Sequence, residues 1–514
     1  MGPDRGCLAW KTARGRAAWV WNTSSPGTPR VMRALRRAVG PDSLGNEEAD
    51  DGNMSTVYIL WDESQIWGLL MWRALCCLGF FPRLVRGPDI SQGLLSSKPP
   101  AVLIAPGGVA RRKAEALGPR GMDALRDYVA AGGVYLGFCG GAGLGLTGEY
   151  GLGLCPWHRA PMRDRLRHLV SGHVAVSLHR GDPPHPFIPP DLLGTPLVPV
   201  WWPAGFEAVD GEAVEVLASY DLPGPDFWIA DISLDSLPKG TFALWESTHD
   251  VNLRPSFLQG QPCVIVGSFG RGRYLLSYAH LETPRSPEAN SWLAHILGSV
   301  AGPGTRGSRG AANPAAYTVA DWDLSAGSVR WPAPSLLEAR AALDEIITLG
   351  RGHFLLFPRN AWLLGWRAGI PGANINNLRS LLHTVLTTPP TPAGATFLAE
   401  REAGFLAALR QFKDEVTGYL LAERLAMTLA KSAPSAVSQQ WLKAQRTRLF
   451  GEAMEQSGLY AQLLEVLDEL VWLLLEGRAP GTTAGAMGST GLVWTGRCPE
   501  PDPDALPDPG AATS

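Results

Sequence analysis

No apolar run in this chain of 514 residues approaches the ~20 residues needed to cross a bilayer, and the opening residues hold no apolar segment suited to a signal peptide. Neither sign of charge is in excess. With 45 Lys and Arg against 48 Asp and Glu, the net charge of −3 gives no electrostatic case for nucleic acid or for a membrane surface. The 7 cysteines are scattered and odd in number, which argues against a disulfide framework and makes reduced thiols in the cytoplasm the simpler expectation. The C-terminal part holds no Gly-x-x-x-x-Gly-Lys-Ser/Thr loop and no dinucleotide fingerprint. Of the 10 histidines, His158, His168, His173, His179 and His185 lie close together. Their spacing matches no zinc template, no HExxH helix exists, and Cys155 lacks a cysteine at ligand spacing. Neither metal nor cofactor is expected.

What the chain does have is 45% hydrophobic and 18% charged residues, the balance of a globular protein with core enough for two or three domains. Residues 1–53 carry Arg33, Arg36 and Arg37, then Glu47-Glu48-Ala49-Asp50-Asp51. They read as a disordered leader or a misassigned start, with Met54 as the expected first residue. From there strands and helices alternate. Residues 57–61 read as a strand, and Ser64 as the cap of a helix with Ile66, Leu69, Leu70 and Leu75 on its apolar side. Asp62 is equally well a helix cap or a group reaching a pocket. Strands at 102–105 and 134–138 bracket a helix with Met122, Leu125 and Val129 at helical spacing, stopped by Gly132-Gly133. This alternation predicts an α/β fold, a parallel sheet with helices on both faces and ligands at the carboxyl ends of its strands. Shorter strands follow around 174–178, 197–202, 214–219 and 264–268, an irregular β-rich half expected over the pocket.

Residues 302–333, opening with the glycine- and serine-rich 302–309, read as a linker. Beyond it 334–349, 373–387, 397–430 and 435–476 read as helical. They make an all-α region over 334–478, before a tail at 479–514 whose composition predicts disorder. Phe405, Leu409, Phe412, Val416 and Leu420 form one apolar stripe, and Leu463, Val466, Leu467, Leu470, Leu473 and Leu474 another. Such stripes pack within a bundle more often than they take up a partner. A core is the first expectation for them, a protein partner the second.

The chemistry concentrates at Gly137-Phe138-Cys139-Gly140-Gly141-Ala142. A short buried strand running into a cysteine flanked by glycines reads as a nucleophile elbow, a tight turn that lifts a side chain to the top of a sheet. Glycines let strand and helix approach, a helix N-terminus favours thiolate over thiol, and the Gly140 N–H is placed to help hold an oxyanion. A buried cysteine in a glycine-rich turn accounts for these six residues equally well. A second strand ends in Pro106-Gly107-Gly108, whose N–H groups would face the same pocket. The strand at 274–278 ends in Ala279-His280-Leu281-Glu282, where a carboxylate can fix the tautomer of an imidazole that activates the thiol. Trp201 and Trp202 alternate across a strand, so that one indole can line the site while the other packs, with packing the first expectation for each. Gly107, Gly108, Gly140 and Trp202 are the candidate pocket residues.

Together these pieces resemble the class I glutamine amidotransferase superfamily, and within it most closely the domain at the N-terminus of eukaryotic-type biotin-protein ligases, here in a stand-alone form without the ligase catalytic domain. The likeness spans 54–301. It runs through Val57-Tyr58-Ile59-Leu60, Ala105-Pro106-Gly107-Gly108-Val109-Ala110, the connection at 114–118, the stretch from Ala130 to Ala142, and His280-Leu281-Glu282. It implies a flavodoxin-like, mostly parallel sheet and a Cys-His-Glu triad of Cys139, His280 and Glu282, with oxyanion donors near Gly108 and Gly140. Cys139 would attack the carbonyl of a small-molecule or other amide substrate, with His280 as base and Glu282 as its orienter. Two positions depart from the family pattern. Leu281 stands where proline is usual, and Gly143-Leu144-Gly145-Leu146 lacks the customary glutamine-binding residues. No Lys-Trp-Pro-Asn-like motif occurs, and Gly270-Arg271-Gly272-Arg273 reads as a turn opening a strand, so biotin ligation is not expected. The alternative is a noncatalytic binding or regulatory module that keeps the pocket, with the helical half as an interaction scaffold.

Overall fold

The structure, a computed structural model, describes residues 56–476 except 162–169, 193, 210, 212–213, 251–253, 303–316, 368 and 453–455. The expected leader at 1–53, much of the expected linker, the tail at 479–514 and His168 lie outside the described residues.

Two strands of unbroken apolar sequence, β1 (Val57–Leu60) and β3 (Val102–Ala105), are buried at every position, as strands covered on both faces must be. With β2 (Arg83–Val85) and β4 (Val134–Phe138) they run parallel in the order β2-β1-β3-β4. A fifth parallel strand comes from far downstream. β12 (Pro262–Phe269) and β13 (Gly272–Ser277) form a hairpin through Gly270, at φ +60°, and β13 lies parallel against β4. The glycine-arginine segment is thus a turn, as its composition predicts.

Beyond β12 the sheet continues antiparallel. β9 (Glu215–Pro223) pairs with β12 and with β6 (Val170–Leu178), which also takes β7 (Leu197–Trp201) and β10 (Trp228–Ile229); β11 (Ile232–Ser233) closes the edge of an 11-stranded sheet. These strands, expected as an irregular half over the pocket, instead continue the one sheet sideways. β5 (His158–Arg159) and β8 (Phe206–Glu207) pair separately. Buried and half-exposed positions alternate along β6, the pattern of a strand with one covered face.

Helices α1 (Gln65–Cys77), α2 (Gly87–Ser91), α3 (Leu94–Ser97), α4 (Ala110–Ala130), α5 (Gly140–Gly145), α6 (Thr241–His249) and α7 (Pro287–Ala301) intervene. α4 is broken at Gly118, φ 62° and ψ 173°, with Pro119 starting its second part, so the expected connection at 114–118 is helical up to that break. Ser64 does stand at the N-cap of α1, yet its hydroxyl donates to the Leu60 carbonyl at 2.9 Å and caps nothing.

The C-terminal region comprises α8 (Pro334–Gly352), α9 (Gly372–Thr387), α10 (Pro392–Leu429), α11 (Gln439–Phe450) and α12 (Gly458–Leu475). The 435–476 stretch divides because Gly451 and Gly458 take φ of +77° and +73°, where a helix cannot continue. Phe405, Leu409, Phe412, Val416 and Leu420 are all buried; the stripe is core. A hairpin of β14 (Leu356–Pro358) and β15 (Leu364–Trp366) is inserted between α8 and α9. From Met54 onward the chain groups into one compact unit. No helix of the described residues is long and apolar enough to cross a membrane.

Candidate active site at the carboxyl ends of the parallel strands

Parallel register brings the strand ends level: Ala105 pairs with Gly137, and Phe138 with Ser277. Cys139 therefore leaves β4 beside the Gly107-Gly108 turn after β3, and His280 follows closely after β13, all at one edge of the sheet. Cys139 has φ 50° and ψ −106°, a left-handed backbone that a residue with a β-carbon adopts only where its surroundings over-determine it. Those surroundings are glycines. A β-carbon on Gly140 would fall 2.0 Å from the Gly108 carbonyl oxygen, and one on Gly141 would fall 1.9 Å from that of Ala105. The Gly141 N–H donates to the Pro106 carbonyl at 3.1 Å, which stitches the elbow to the turn. α5 is only six residues long, so what the sulfur meets is chiefly the single N–H of Gly140 rather than a long helix dipole.

His280 Nδ1 lies 2.7 Å from Glu282 Oε1, and both side chains are fully buried. Their loop is pinned at several points. The His280 N–H donates to the Pro199 carbonyl at 2.9 Å. The Asn290 amide donates to the carbonyls of Leu281 at 2.8 Å and Thr283 at 2.9 Å, and the Trp201 indole to Thr283 Oγ1 at 3.1 Å. These restraints do for the His-Leu-Glu loop what a proline ring would do, and Leu281 itself is buried.

His280 Nε2 and Glu282 Oε2 are buried without a well-formed hydrogen bond. The group that couples to the imidazole's free side is Cys139. Burial pushes the thiol's pKa up, but the charge of His280, a hydrogen bond with it and the Gly140 N–H more than offset this, so the pKa falls below the usual thiol value. His280 shifts the other way: burial opposes its charge, while the Glu282 carboxylate and the Cys139 thiolate raise its pKa above the ordinary imidazole value. The two groups are coupled, although no hydrogen bond of good geometry joins them. The arrangement favours a thiolate–imidazolium pair, and Cys139 retains partial exposure.

Aromatic rings form the cover. Trp67 of α1 sits 4.6 Å from the His280 ring, centroid to centroid, and also touches Trp202 at 5.9 Å and Trp362 at 6.5 Å. Gly107 has no side chain because a β-carbon there would stand 2.8 Å from Trp67 Cγ and 3.1 Å from His280 Cε1. Trp202 reaches the site through Trp67 and packs on Trp366 at 5.1 Å, whereas Trp201 is core, edge-on to Trp362 at 5.1 Å. Trp362 and Trp366 belong to the hairpin region of the helical half, so both halves build this cover. Among the nine described non-glycine residues with positive φ, Glu63, Gln65, Cys139 and Trp202 gather here; strain of this kind collects at functional sites.

No family model matches this sequence, and no curated protein matches it. Among solved structures, a provisionally assigned GMP synthase component from Thermoplasma acidophilum is similar at 13% identity and a TM-score of 0.31, over 48% of this chain and 94% of that one. A provisionally assigned ThuA-like protein from Bacteroides uniformis is similar at 15% identity and a TM-score of 0.30, over 50% of this chain and 93% of that one. A beta-galactosidase from Bacillus circulans aligns over 48% of this chain and only 31% of its own, at 13% identity and a TM-score of 0.27.

Among the described residues no group of three His, Cys, Asp or Glu side chains is placed to hold a metal ion. Three of the clustered histidines have partners of their own. His179 Nε2 lies 3.0 Å from Ser219 Oγ, and His185 Nδ1 accepts from the Phe187 N–H at 3.1 Å. His173 Nδ1 lies 2.9 Å from Asp226 Oδ2 and its Nε2 2.8 Å from Ser286 Oγ. That chain has the order of a serine triad, but Ser286 is 1% exposed at the start of α7, sealed from any substrate. Asp62 proves to be a cap for a different helix: its Oδ2 accepts the Gly87 N–H of α2 at 2.6 Å. Sequence reasoning missed Trp67, although a residue in the first turn after a strand's carboxyl end is placed to face such a site. Trp362 and Trp366 carried no local signal, because their partners lie in the other half of the chain.

Proposed function

We propose that this protein is a cysteine-dependent amidohydrolase or amidotransferase of the class I glutamine amidotransferase-like kind, with Cys139 attacking an amide carbonyl. The observation that carries this reading is a buried imidazole held at 2.7 Å by Glu282, its other side coupled to a thiol on a strained elbow. His280 takes the thiol proton and returns it to the leaving amine, Glu282 orients the ring, and N–H groups at Gly108 and Gly140 receive the oxyanion. Water or an acceptor then resolves the thioester. The finer resemblance, to biotin-protein ligase N-terminal domains in stand-alone form, belongs to this reading as a kinship of the domain at 54–301; ligation of biotin does not.

Ammonia release from glutamine and from simple amides, measured on wild type beside Cys139→Ala, tests the reading. Activity surviving the substitution eliminates the nucleophile. The tight aromatic cover of Trp67 over His280 favours a second reading, a noncatalytic binding module that retains the pocket. It would show ligand binding with no turnover and no enhanced thiol reactivity.

A further inference from the structure

Lys113 is fully buried, and nothing in the reaction above uses it. Two physical effects oppose an ammonium there. Burial disfavours its charge and brings its pKa down to about 8. Its place near the start of α4 also sets a cation at the end of a helix whose partial charge is already positive. Helical side chains lean toward the N-terminus, and here the lean carries the ammonium back over the turn that precedes α4. Nζ donates to the Asp62 carbonyl at 2.9 Å and to Ser64 Oγ at 2.5 Å, and Ser64 is anchored in turn on the Leu60 carbonyl. Lys113 Cε stands 3.2 Å from where a β-carbon on Gly108 would be, and the Gly108 carbonyl is what a β-carbon on Gly140 would strike. The cation is therefore packed directly behind the turn that abuts the elbow.

The charges around it are accounted for. Glu63 is paired with Arg112 at 2.9 Å and Asp468 with Arg86 at 3.6 Å, while the Asp62 carboxylate accepts from Gly87. After Asp62 and Glu63, the Cys139 thiolate is the negative group that most favours the charged form of Lys113. His280 and Gly140 act more strongly on the thiol itself, so the lysine's electrostatic share is the smaller one.

We propose that Lys113 is a positioning residue for the Cys139 chemistry: its ammonium, tied to Ser64 and the Asp62 carbonyl, braces the Gly107-Gly108 turn and adds positive charge behind the thiolate and the oxyanion. This rests on the cysteine reading above. A group that burial and the helix both disfavour is retained here for what its charge does at the neighbouring site.

The test is the pH profile of Cys139 alkylation by iodoacetamide in the full chain, with a thermal melt to establish folding, for wild type, Lys113→Met and Ser64→Ala. In Lys113→Met the profile moves to higher pH by about half a unit, slowing alkylation about threefold below the thiol pKa. Amide turnover falls in kcat with little change in KM. Ser64→Ala, which keeps the cation but loosens it, moves the profile the same way by less. A purely structural lysine would lower the melting temperature and leave the profile of the folded variant in place, and that result overturns the proposal. Should Lys113→Met not fold, an unmoved profile in Ser64→Ala overturns it equally. Failure of the cysteine reading looks different: wild-type Cys139 would then alkylate no faster than the other thiols, whatever stands at 113.

Discussion

Among the described residues two histidines hold a carboxylate through Nδ1, His280 with Glu282 at 2.7 Å and His173 with Asp226 at 2.9 Å. They differ at the opposite nitrogen. His173 Nε2 is satisfied by the buried Ser286 hydroxyl, whereas His280 Nε2 is coupled to the Cys139 thiol without a well-formed hydrogen bond. The complete chain at His173 is what stability alone would build. The looser one at His280, set beside a strained cysteine, leaves the imidazole able to exchange a proton with the thiol.

The comparison breaks most sharply under alkylation. Near neutral pH, Cys139 should label faster than Cys155 and Cys263, whose thiol pKa values burial pushes up, as read by peptide-resolved mass spectrometry. Because a thiolate is the reactive form, His280→Ala should cut the Cys139 rate by at least about tenfold, while His173→Ala leaves it unchanged. If both variants label alike, the distinction between the two histidines is lost.

Next in size is the backbone contact on which the elbow depends. Gly140→Ala drives a methyl to 2.0 Å from the Gly108 oxygen and should lose at least about 3 kcal/mol in urea unfolding. Gly143, whose β-carbon would meet nothing nearer than 3.3 Å, should accept alanine with about 1 kcal/mol or less. Ser286→Ala should lose about 1–2 kcal/mol of stability and leave thiol reactivity intact, since it orphans His173 Nε2 and touches nothing at the elbow.

The smallest effect lies where the helical half meets the end of β1. Burial pushes the Asp468 carboxyl up to about 7 from 3.8, against the pull of Arg86 and the Trp61 indole. The folded chain then holds a proton that the unfolded chain releases at lower pH. Stability from this group falls as pH rises from about 4 to about 7 and is level above that. Asp468→Asn should flatten the pH dependence of the melt. The amplitude is no more than about 2 kcal/mol, because the side chain, at 24% exposed, is partly screened.

Much of the frame was legible in the chain itself. The strands at Val102–Ala105 and Val134–Phe138 fall where their apolar runs lead into Pro106-Gly107-Gly108 and Cys139-Gly140-Gly141, and the glycines around Cys139 mark a backbone crossing that admits no β-carbon. His280 and Glu282, two apart after a strand, do meet. Less legible were the strands from β6 to β12. Their alternation shows one covered face but not whether they make a second layer or extend the first. The 435–476 stretch read as continuous because its periodicity hides the two left-handed glycines that divide it.

Lys113 shows where local reading ends. In sequence it is one cation among the charged residues of an amphipathic helix, and such a residue is ordinarily solvated; only the packing of α4 against the end of β1 reveals its burial. The cover made by Trp67, Trp202, Trp362 and Trp366 is of the same kind. The sequence by itself determined the strand–elbow–helix unit, the His-Leu-Glu loop and the apolar stripes, because each arises from spacing and steric needs within a few residues. Tertiary structure alone decided that β13 would join β4 in parallel, bringing His280 to Cys139, and that a hairpin more than two hundred residues away would roof the site. Register between distant strands and contact between halves depend on the whole core closing at once, and no window of sequence contains that information.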